Sequence, residues 1–445
     1  MDMHDLEPEA QSAKSLMDRR SALKCVATWA GTGVVWALVG GVPKAFAADA
    51  AGAAMAASAG ASAFNFVQIS DSHIGFNKAA NPEPLKFLQI AIDRINAVPV
   101  KPSFVLHTGD ITHLSKAEEF DTAAEVLKGL PAPVHYVPGE HDTLDEGGGK
   151  LFLDRYGKGT KGNGWYSYDD HGVHFIALVN VFNLEAGHEA KLGADQIKWL
   201  ADDLSAVSSS TPIVVFTHIP LWTVYEPWGW GTEDGEQAIA LLRRFGSVTV
   251  LHGHIHQVIQ KVEGNITFHT ARGTAYPQPK PGEAPSPGPM LVPPDQCVLI
   301  LALPASILWK AAIRSRLPTQ RSFNALGKGI IMKSTLSALL IVLALTGAPA
   351  LAASTAKQAP NQVVISEYMF APGTVNVAVG ATVTWVNHDD VPHTIVDSAV
   401  PKTFHSSALD TNDTYSFTFT KPGTYHYFCT LHPKMVGTIV VADAK

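Results

Sequence analysis

Short apolar runs alternate with longer stretches of helical period between residues 64 and 251. Phe66-Val67-Gln68-Ile69, Phe104-Val105-Leu106, His135-Tyr136-Val137, Ile213-Val214-Val215-Phe216 and Val248-Thr249-Val250-Leu251 are the clearest of the short runs. They predict strands at residues 64–70, 104–108, 134–137, 212–217 and 248–251. A β-pair is predicted at 165–168 and 173–178, around Asp169-Asp170-His171-Gly172. Helices are predicted near 84–97, 116–129, 194–204 and 236–245; in the third, Ile197, Leu200 and Leu204 form one apolar stripe. This alternation predicts an α/β domain with sheets between helices. The Pro-rich run 277–294 reads as a loop or linker. Beyond it the pattern changes. Residues 363–366, 375–379, 382–387, 414–419, 423–428 and 437–441 read as strands with turn residues between them, which predicts a small β-sandwich.

Composition narrows the class. With 445 residues, 46% of them apolar and 16% charged, the chain has room for two or three globular domains. A formal charge of −7 argues against a general nucleic-acid-binding surface, which would be basic. The three cysteines, Cys25, Cys297 and Cys429, form no disulfide framework.

Two segments read as targeting signals. Asp18-Arg19-Arg20-Ser21-Ala22-Leu23-Lys24 resembles a twin-arginine signal; an apolar region follows at 26–42, then Ala45-Phe46-Ala47 as a cleavage site. An uncleaved membrane anchor is the alternative. Further on, Met332-Lys333-Ser334-Thr335 precedes the apolar run 336–345 and the small residues of 347–352, a second secretory signal inside the chain. That run is short for a membrane span, which takes roughly 20 residues. Residues 297–331 have no clear amphipathic period. The expected organisation is a signal and Ala-rich linker at 1–62, a first domain at 63–294, an anomalous junction at 295–356 and a second domain at 357–445. The junction suggests that two adjacent exported proteins have been joined; a membrane tether between two domains is the competing reading.

The chemistry concentrates where predicted strands end. Asp71 and His73, Asp110 and His113, Glu140, His141 and Asp142, His218, then His254 and His256 each follow one of the apolar runs. Side chains leaving one sheet edge converge in space, and open α/β sheets place their sites there. Carboxylates mixed with imidazoles suit Mn, Fe or Zn, and this many ligands implies two ions.

The ordered set Asp71-x-His73, Gly109-Asp110-x-x-His113, Gly139-Glu140-His141-Asp142, His218 and Gly253-His254-x-His256 resembles the calcineurin-like metallophosphoesterases, in particular their cyclic-nucleotide phosphodiesterase-like branch. The resemblance implies a four-layer αββα sandwich holding two divalent or trivalent ions. Asp71, His73 and His256 would hold one ion and Glu140, His218 and His254 the other, with Asp110 shared. A hydroxide bridging the ions would attack phosphorus. His141 would serve the leaving oxygen, Asp142 would orient His141, and His113 would either act in catalysis or simply hydrogen-bond within its loop. The family usually carries Asn where this chain has Glu140, so metal binding is more firmly implied than turnover. His107 and His252 read as core residues. Trp222, Tyr225, Trp228 and Trp230 would either wall the substrate or pack their loop.

In the second domain, Cys429-x-x-His432-x-x-Met435 with His393 upstream supplies two imidazoles, a thiolate and a thioether. That is the ligand set of blue copper. The motif resembles the amicyanin and plastocyanin group of cupredoxins, which implies a Greek-key sandwich, one copper ion and a redox protein partner. Asn387 and Asp390 are candidates to brace the His393 loop.

The function expected from these readings is a periplasmic or otherwise exported phosphoester hydrolase acting on a small-molecule phosphoester, with an electron-transfer module attached and any membrane contact confined to the signal or anchor segments. Two rivals stand beside it: a metal-binding redox protein without turnover, and a membrane-tethered hydrolase regulated by the copper redox state.

Overall fold

The computed structural model describes residues 64–98, 101–292 and 361–443 in full, and residues 34–39 and 42–47 as backbone strands. The twin-arginine-like motif, the Ala-rich linker and the segment 295–356 lie outside the described residues.

The first domain has two sheets. One runs β2(Val42–Ala47), β1(Val34–Val39), β3(Asn65–Ile69), β4(Val105–His107), β5(Val134–Tyr136), with β3, β4 and β5 parallel. The other runs β10(Gln260–Glu263), β11(Ile266–Thr270), β9(Val248–His252), β8(Ile213–Phe216), β7(Val173–Ala177), β6(Tyr166–Asp170), parallel from β11 to β7 and antiparallel at both edges. Strands buried on both faces should be apolar on both, with alternate residues serving different layers. That division is seen. Phe66, Phe104, Leu106, Phe175, Val214 and Phe216 meet between the sheets. Val67, Ile69 and Val105 face outward onto α1(Pro84–Ala97) and α2(Ala117–Leu127), through Leu88, Ile92, Ile95, Phe120 and Leu127. Ile176, Ile213, Val215 and Val250 face the opposite way onto α4(Ala194–Ser205) and α5(Gly235–Leu242). The layers are therefore helix, sheet, sheet, helix, as the resemblance implies. A further short helix, α3(Lys150–Tyr156), and the hairpin β10–β11 add to the elements read from the sequence.

One sequence reading meets a competing structure. The apolar region taken as the signal core partly forms β1, which pairs antiparallel with β2 and with β3 at the sheet edge. Its valines favour strands, and an open strand edge accepts an apolar segment.

His174 on β7 lies between Asp169 (Nδ1 to Oδ1, 2.8 Å) and Asp203 (Nε2 to Oδ2, 2.9 Å). Burial lowers its pKa, but the two carboxylates outweigh that and raise it above 6.5. The folded state thus holds this proton more tightly than the unfolded chain. Its stabilisation is complete below 6.5 and is lost as the pH rises through the raised folded value. Calorimetry of His174→Gln should show a melting deficit against wild type that is largest near about pH 6 and shrinks toward about pH 9.

The second domain packs two four-stranded sheets, β13(Met369–Ala371), β12(Gln362–Ser366), β15(Thr382–Asn387), β17(Thr414–Thr418) and β14(Thr374–Ala378), β19(Val436–Ala442), β18(Gly423–Phe428), β16(Val396–Asp397). Along β15, Val383, Trp385 and Asn387 point inward while Thr382 stays exposed. Trp385, Tyr427, Ile439 and Val363 are central in its core. The described residues of both domains belong to one compact unit. Among the described residues, no helix is long and apolar enough to cross a membrane.

Candidate metal centres

Three strands that lead into site residues, β3, β4 and β9, end in sharp turns. Asp71 (φ 53°), His73 (φ 40°), Asp110 (φ 52°), His254 (φ 68°) and His256 (φ 49°) all occupy the left-handed region. Non-glycine residues pay for that conformation, and such clusters mark functional sites. Two glycines make the close approach possible: a Cβ on Gly109 would lie 2.5 Å from His218 Nδ1, and one on Gly139 would lie 2.1 Å from Asp110 Oδ1.

The turns bring seven predicted ligands together. Asp71, His73 and His256 form one group able to hold a cation, and Glu140, His218 and His254 another. Asp110 faces both: its Oδ2 is 3.5 Å from His73 Nε2 and 3.3 Å from His218 Nε2. Glu140 reaches His218 Nε2 (3.0 Å) and His254 Nδ1 (2.8 Å), while Asp71 Oδ1 is 3.3 Å from His256 Nε2.

Ring protons test whether cations fit here. His218 Nδ1 lies 2.6 Å from the Thr108 carbonyl and His256 Nδ1 2.6 Å from the Tyr276 carbonyl. A carbonyl only accepts, so both Nδ1 atoms carry a proton and both Nε2 atoms are left facing carboxylate oxygens, where a cation can take the place of a ring proton. Once Nε2 is deprotonated, acceptors face acceptors in a buried site and repel unless a cation stands between them. Asp71 Oδ2, Glu140 Oε2, His218 Nε2 and His254 Nδ1 are buried without a hydrogen-bond partner. These residues fit hard cations, with backbone carbonyls orienting the imidazoles as outer-shell partners do.

Without a metal, protons take the cations' place. Burial and the neighbouring Glu140 charge push the Asp110 carboxyl well above its usual value, against the pull of His218. For His218, burial works downward, but Asp110 and Glu140 outweigh it and raise its pKa well above normal. Burial drives His73 and His113 well below the ordinary histidine range and His141 down to about 4.

One expected role needs correction. Asp142 does not hold the His141 ring. Its carboxylate accepts the backbone N–H groups of Ile111, Thr112 and Gly139 at 3.1, 2.9 and 3.0 Å, tying the Asp110 turn to the Glu140 turn. The His141 ring is held instead by the His113 carbonyl, 2.8 Å from Nδ1. His113 contributes that carbonyl and a ring stacked on His141 (centroids 5.4 Å apart, 18° between planes); neither of its ring nitrogens has a hydrogen-bond partner. A backbone acceptor leaves no side-chain signature in sequence, whereas a neighbouring aspartate suggests itself.

His107 and His252 are buried and hydrogen-bonded, to Ser72 Oγ and to the Leu221 N–H, as core histidines. The aromatic loop divides: Trp222 packs on His252 and Phe268, while Trp228 and Trp230 line the cavity in front of the metal ligands.

In the second domain, His393 Nδ1, His432 Nδ1 and Cys429 Sγ converge, with 3.7 Å from sulfur to each nitrogen and 3.2 Å between the nitrogens. His393 Nε2 bonds Asp389 Oδ2 at 2.9 Å, which directs Nδ1 at the centre. Asp389 therefore takes the bracing role expected of Asp390. Asn387 braces as expected, donating to the carbonyls of Val391 (2.8 Å) and Leu409 (2.9 Å). Met435 is buried on the same loop, its carbonyl accepting the Cys429 N–H at 3.1 Å. Burial raises the Cys429 thiol, but His393 and His432 outweigh it and hold its pKa well below normal. A low-pKa sulfur beside two imidazoles in a buried pocket fits copper.

Comparison with known proteins decides the families. The sequence pattern of calcineurin-like phosphoesterases matches residues 64–258, and that of copper binding proteins of the plastocyanin/azurin family matches residues 358–442. The chain joins a calcineurin-like phosphoesterase to a cupredoxin.

Amicyanin-alpha of Methylorubrum extorquens is 32% identical over 117 residues, covering 26% of this chain and 98% of the relative. A probable cyclic nucleotide phosphodiesterase of Rhodopseudomonas palustris is 26% identical over 219 residues, covering 47% of this chain and 78% of the relative. The glycerophosphodiester phosphodiesterase GpdQ of Enterobacter lignolyticus is 26% identical over 230 residues, covering 47% and 77%. The first domain of this phosphoesterase–cupredoxin chain is thus a metal-dependent phosphoesterase, and the second belongs to a copper-binding family.

Proposed function

We propose that the chain is an exported dinuclear-metal phosphodiester hydrolase carrying a type 1 copper electron-transfer domain. The observation that carries the hydrolase reading is the pair of three-ligand groups facing each other across Asp110. Asp71, His73 and His256 would hold one cation, Glu140, His218 and His254 the other, and Asp110 both. When bound, two hard cations supply Lewis-acid charge and a readily ionised water. The chain itself contributes the rest. Carbonyls of Thr108 and Tyr276 set the imidazole orientations. His141, held by the His113 carbonyl, lines the cavity where a leaving oxygen would sit. The diester class is supported by the relatives' names, which point to cyclic nucleotide and glycerophosphodiester substrates. Purified protein supplied with Mn(II) should release aryl alcohol from an aryl phosphodiester. Bound metal without any release would support the redox-only alternative.

Glu140 tests the ligand assignment. It replaces the family's usual Asn with a charged group that contacts both His218 and His254. Losing a ligand charge should weaken the second ion at least as much as losing an outer-shell partner, roughly 10–100-fold. A metal titration of Glu140→Asn should show that loss; unchanged affinity would remove Glu140 from the ligand set.

Export and the junction are also proposals. Sequencing the mature N-terminus tests cleavage after Ala47, which would remove β1 and β2 from the sheet edge. One intact polypeptide spanning Pro294 to Ala356 by mass spectrometry would refute two separate products.

A further inference from the structure

The two domains meet at their metal centres. The cavity onto which Asp110, Glu140, His141 and His254 open is roofed by Tyr368, Leu431, His432 and Pro433 of the cupredoxin. Its volume is about 40 Å³. On that measure one water takes roughly 10–15 Å³, so the space holds a few waters and no phosphodiester. His432 is one of the three converging copper-type ligands, so the copper edge itself is what closes the mouth.

The contact is specific. The Gly187 N–H donates to the Pro433 carbonyl at 2.7 Å, beside the copper-ligand loop. Lys434 Nζ pairs with Glu226 Oε1 at 2.7 Å, and Lys78 Nζ with Asp410 Oδ1 at 2.9 Å. These pairs have opposite polarity: each domain supplies one cation and one anion. Such reciprocal pairing fixes orientation and disfavours a rotated docking. Tyr368 is half-buried against the copper ligand His432 (centroids 4.7 Å apart), and a Cβ on Gly288 would come within 2.2 Å of its hydroxyl oxygen. Leu144 of the phosphoesterase packs against the cupredoxin core.

We propose that the copper edge of the cupredoxin docks on the phosphoesterase mouth of its own chain, so that each site shields the other from outside partners. A bulky phosphodiester reaches the phosphoesterase ligands, and a separate redox protein reaches His432, only when the domains part. The proposal rests on the hydrolase and copper readings for its consequences, and on the contacts alone for the docking.

The test uses the full chain loaded with Mn(II) and Cu(II). An opening variant, Lys78→Glu with Lys434→Glu, is compared with the full swap, Lys78→Glu, Asp410→Lys, Lys434→Glu and Glu226→Lys. None of these residues is a proposed ligand. Three quantities are read: the radius of gyration by small-angle scattering, the rate of copper reduction by reduced cytochrome c, and kcat/KM on an aryl phosphodiester. The opening variant should expand and should speed both reactions by roughly fivefold to tenfold, the scale expected for two weak ion pairs. The swap should return all three toward wild type. Wild-type scattering and wild-type copper reduction in the opening variant would overturn the docking. So would an expanded variant that the swap does not restore. If no variant hydrolyses the diester, the hydrolase reading fails, while scattering and copper reduction still decide the docking.

Discussion

Cys429→Ser should abolish the intense thiolate-to-copper absorption that the unmodified chain develops with Cu(II). The sulfur sits 3.7 Å from both imidazole nitrogens, and the nearest other donor to it is the Thr394 N–H at 3.4 Å. A serine oxygen is hard, binds Cu(I) poorly and has no comparable charge-transfer band. Visible absorption titrated with Cu(II) checks this; a band that survives would place the thiolate elsewhere. The same site predicts a pH dependence. In the metal-free protein, burial lowers the His393 pKa, but Asp389 and the Cys429 sulfur outweigh it and raise it to about 9. Copper needs the deprotonated ring, so it must displace that proton. Apparent copper affinity should therefore rise about tenfold per pH unit as the pH climbs toward 9, then level off. Proton release on copper binding, measured in weak buffer near pH 7, should match. Hydrolysis by the Mn(II)-loaded Cys429→Ser protein should persist, since Cys429 lies outside the carboxylate–imidazole groups.

Asp110→Asn should be the most damaging single change to hydrolysis. Asp110 is the carboxylate that faces both ligand groups, and its second oxygen accepts the His141 N–H at 3.0 Å. An amide keeps the shape and removes the charge that two cations would share. Loss of one preorganised electrostatic partner typically costs 10²–10³ in rate. Loss of a group shared by both ions should reach about 10³-fold or more in kcat/KM on an aryl phosphodiester, with at least one equivalent of metal lost. The metal-free protein should respond in the opposite sense. Burial and the charges of Glu140 and Asp71 make ionised Asp110 costly there, although His218 offsets part of that cost. Metal-free Asp110→Asn should melt higher than metal-free wild type and gain less on adding metal. That pattern is the trade between stability and activity expected of a ligand site. A variant with full activity and unchanged metal content would show that Asp110 is structural.

The limits of sequence reading are visible in particular residues. The helix predicted near 84–97 is found at Pro84–Ala97, because Leu88, Ile92 and Ile95 recur on one face and Pro84 suits its first turn. Strands were legible because runs buried on two faces are apolar throughout. The helix Lys150–Tyr156 escaped, being a short segment behind three glycines with Phe152 as its buried residue. The run 26–42, read as a signal core, overlaps β1, and an apolar run alone does not distinguish a strand from a targeting segment.

From sequence alone, the kind of chemistry was decided. Hard carboxylates with imidazoles at the ends of alternating strands can serve little but hard cations, and a Cys–His–Met loop with an upstream His suits copper, whatever the details of packing. The finer assignments belonged to the tertiary structure. The His113 carbonyl rather than Asp142 holds His141, Asp389 rather than Asp390 holds His393, and His432 comes to lie over the phosphoesterase cavity. The reason is physical: side-chain chemistry is written in residue identity, whereas backbone acceptors, ring orientation and domain contacts depend on where distant segments meet in space.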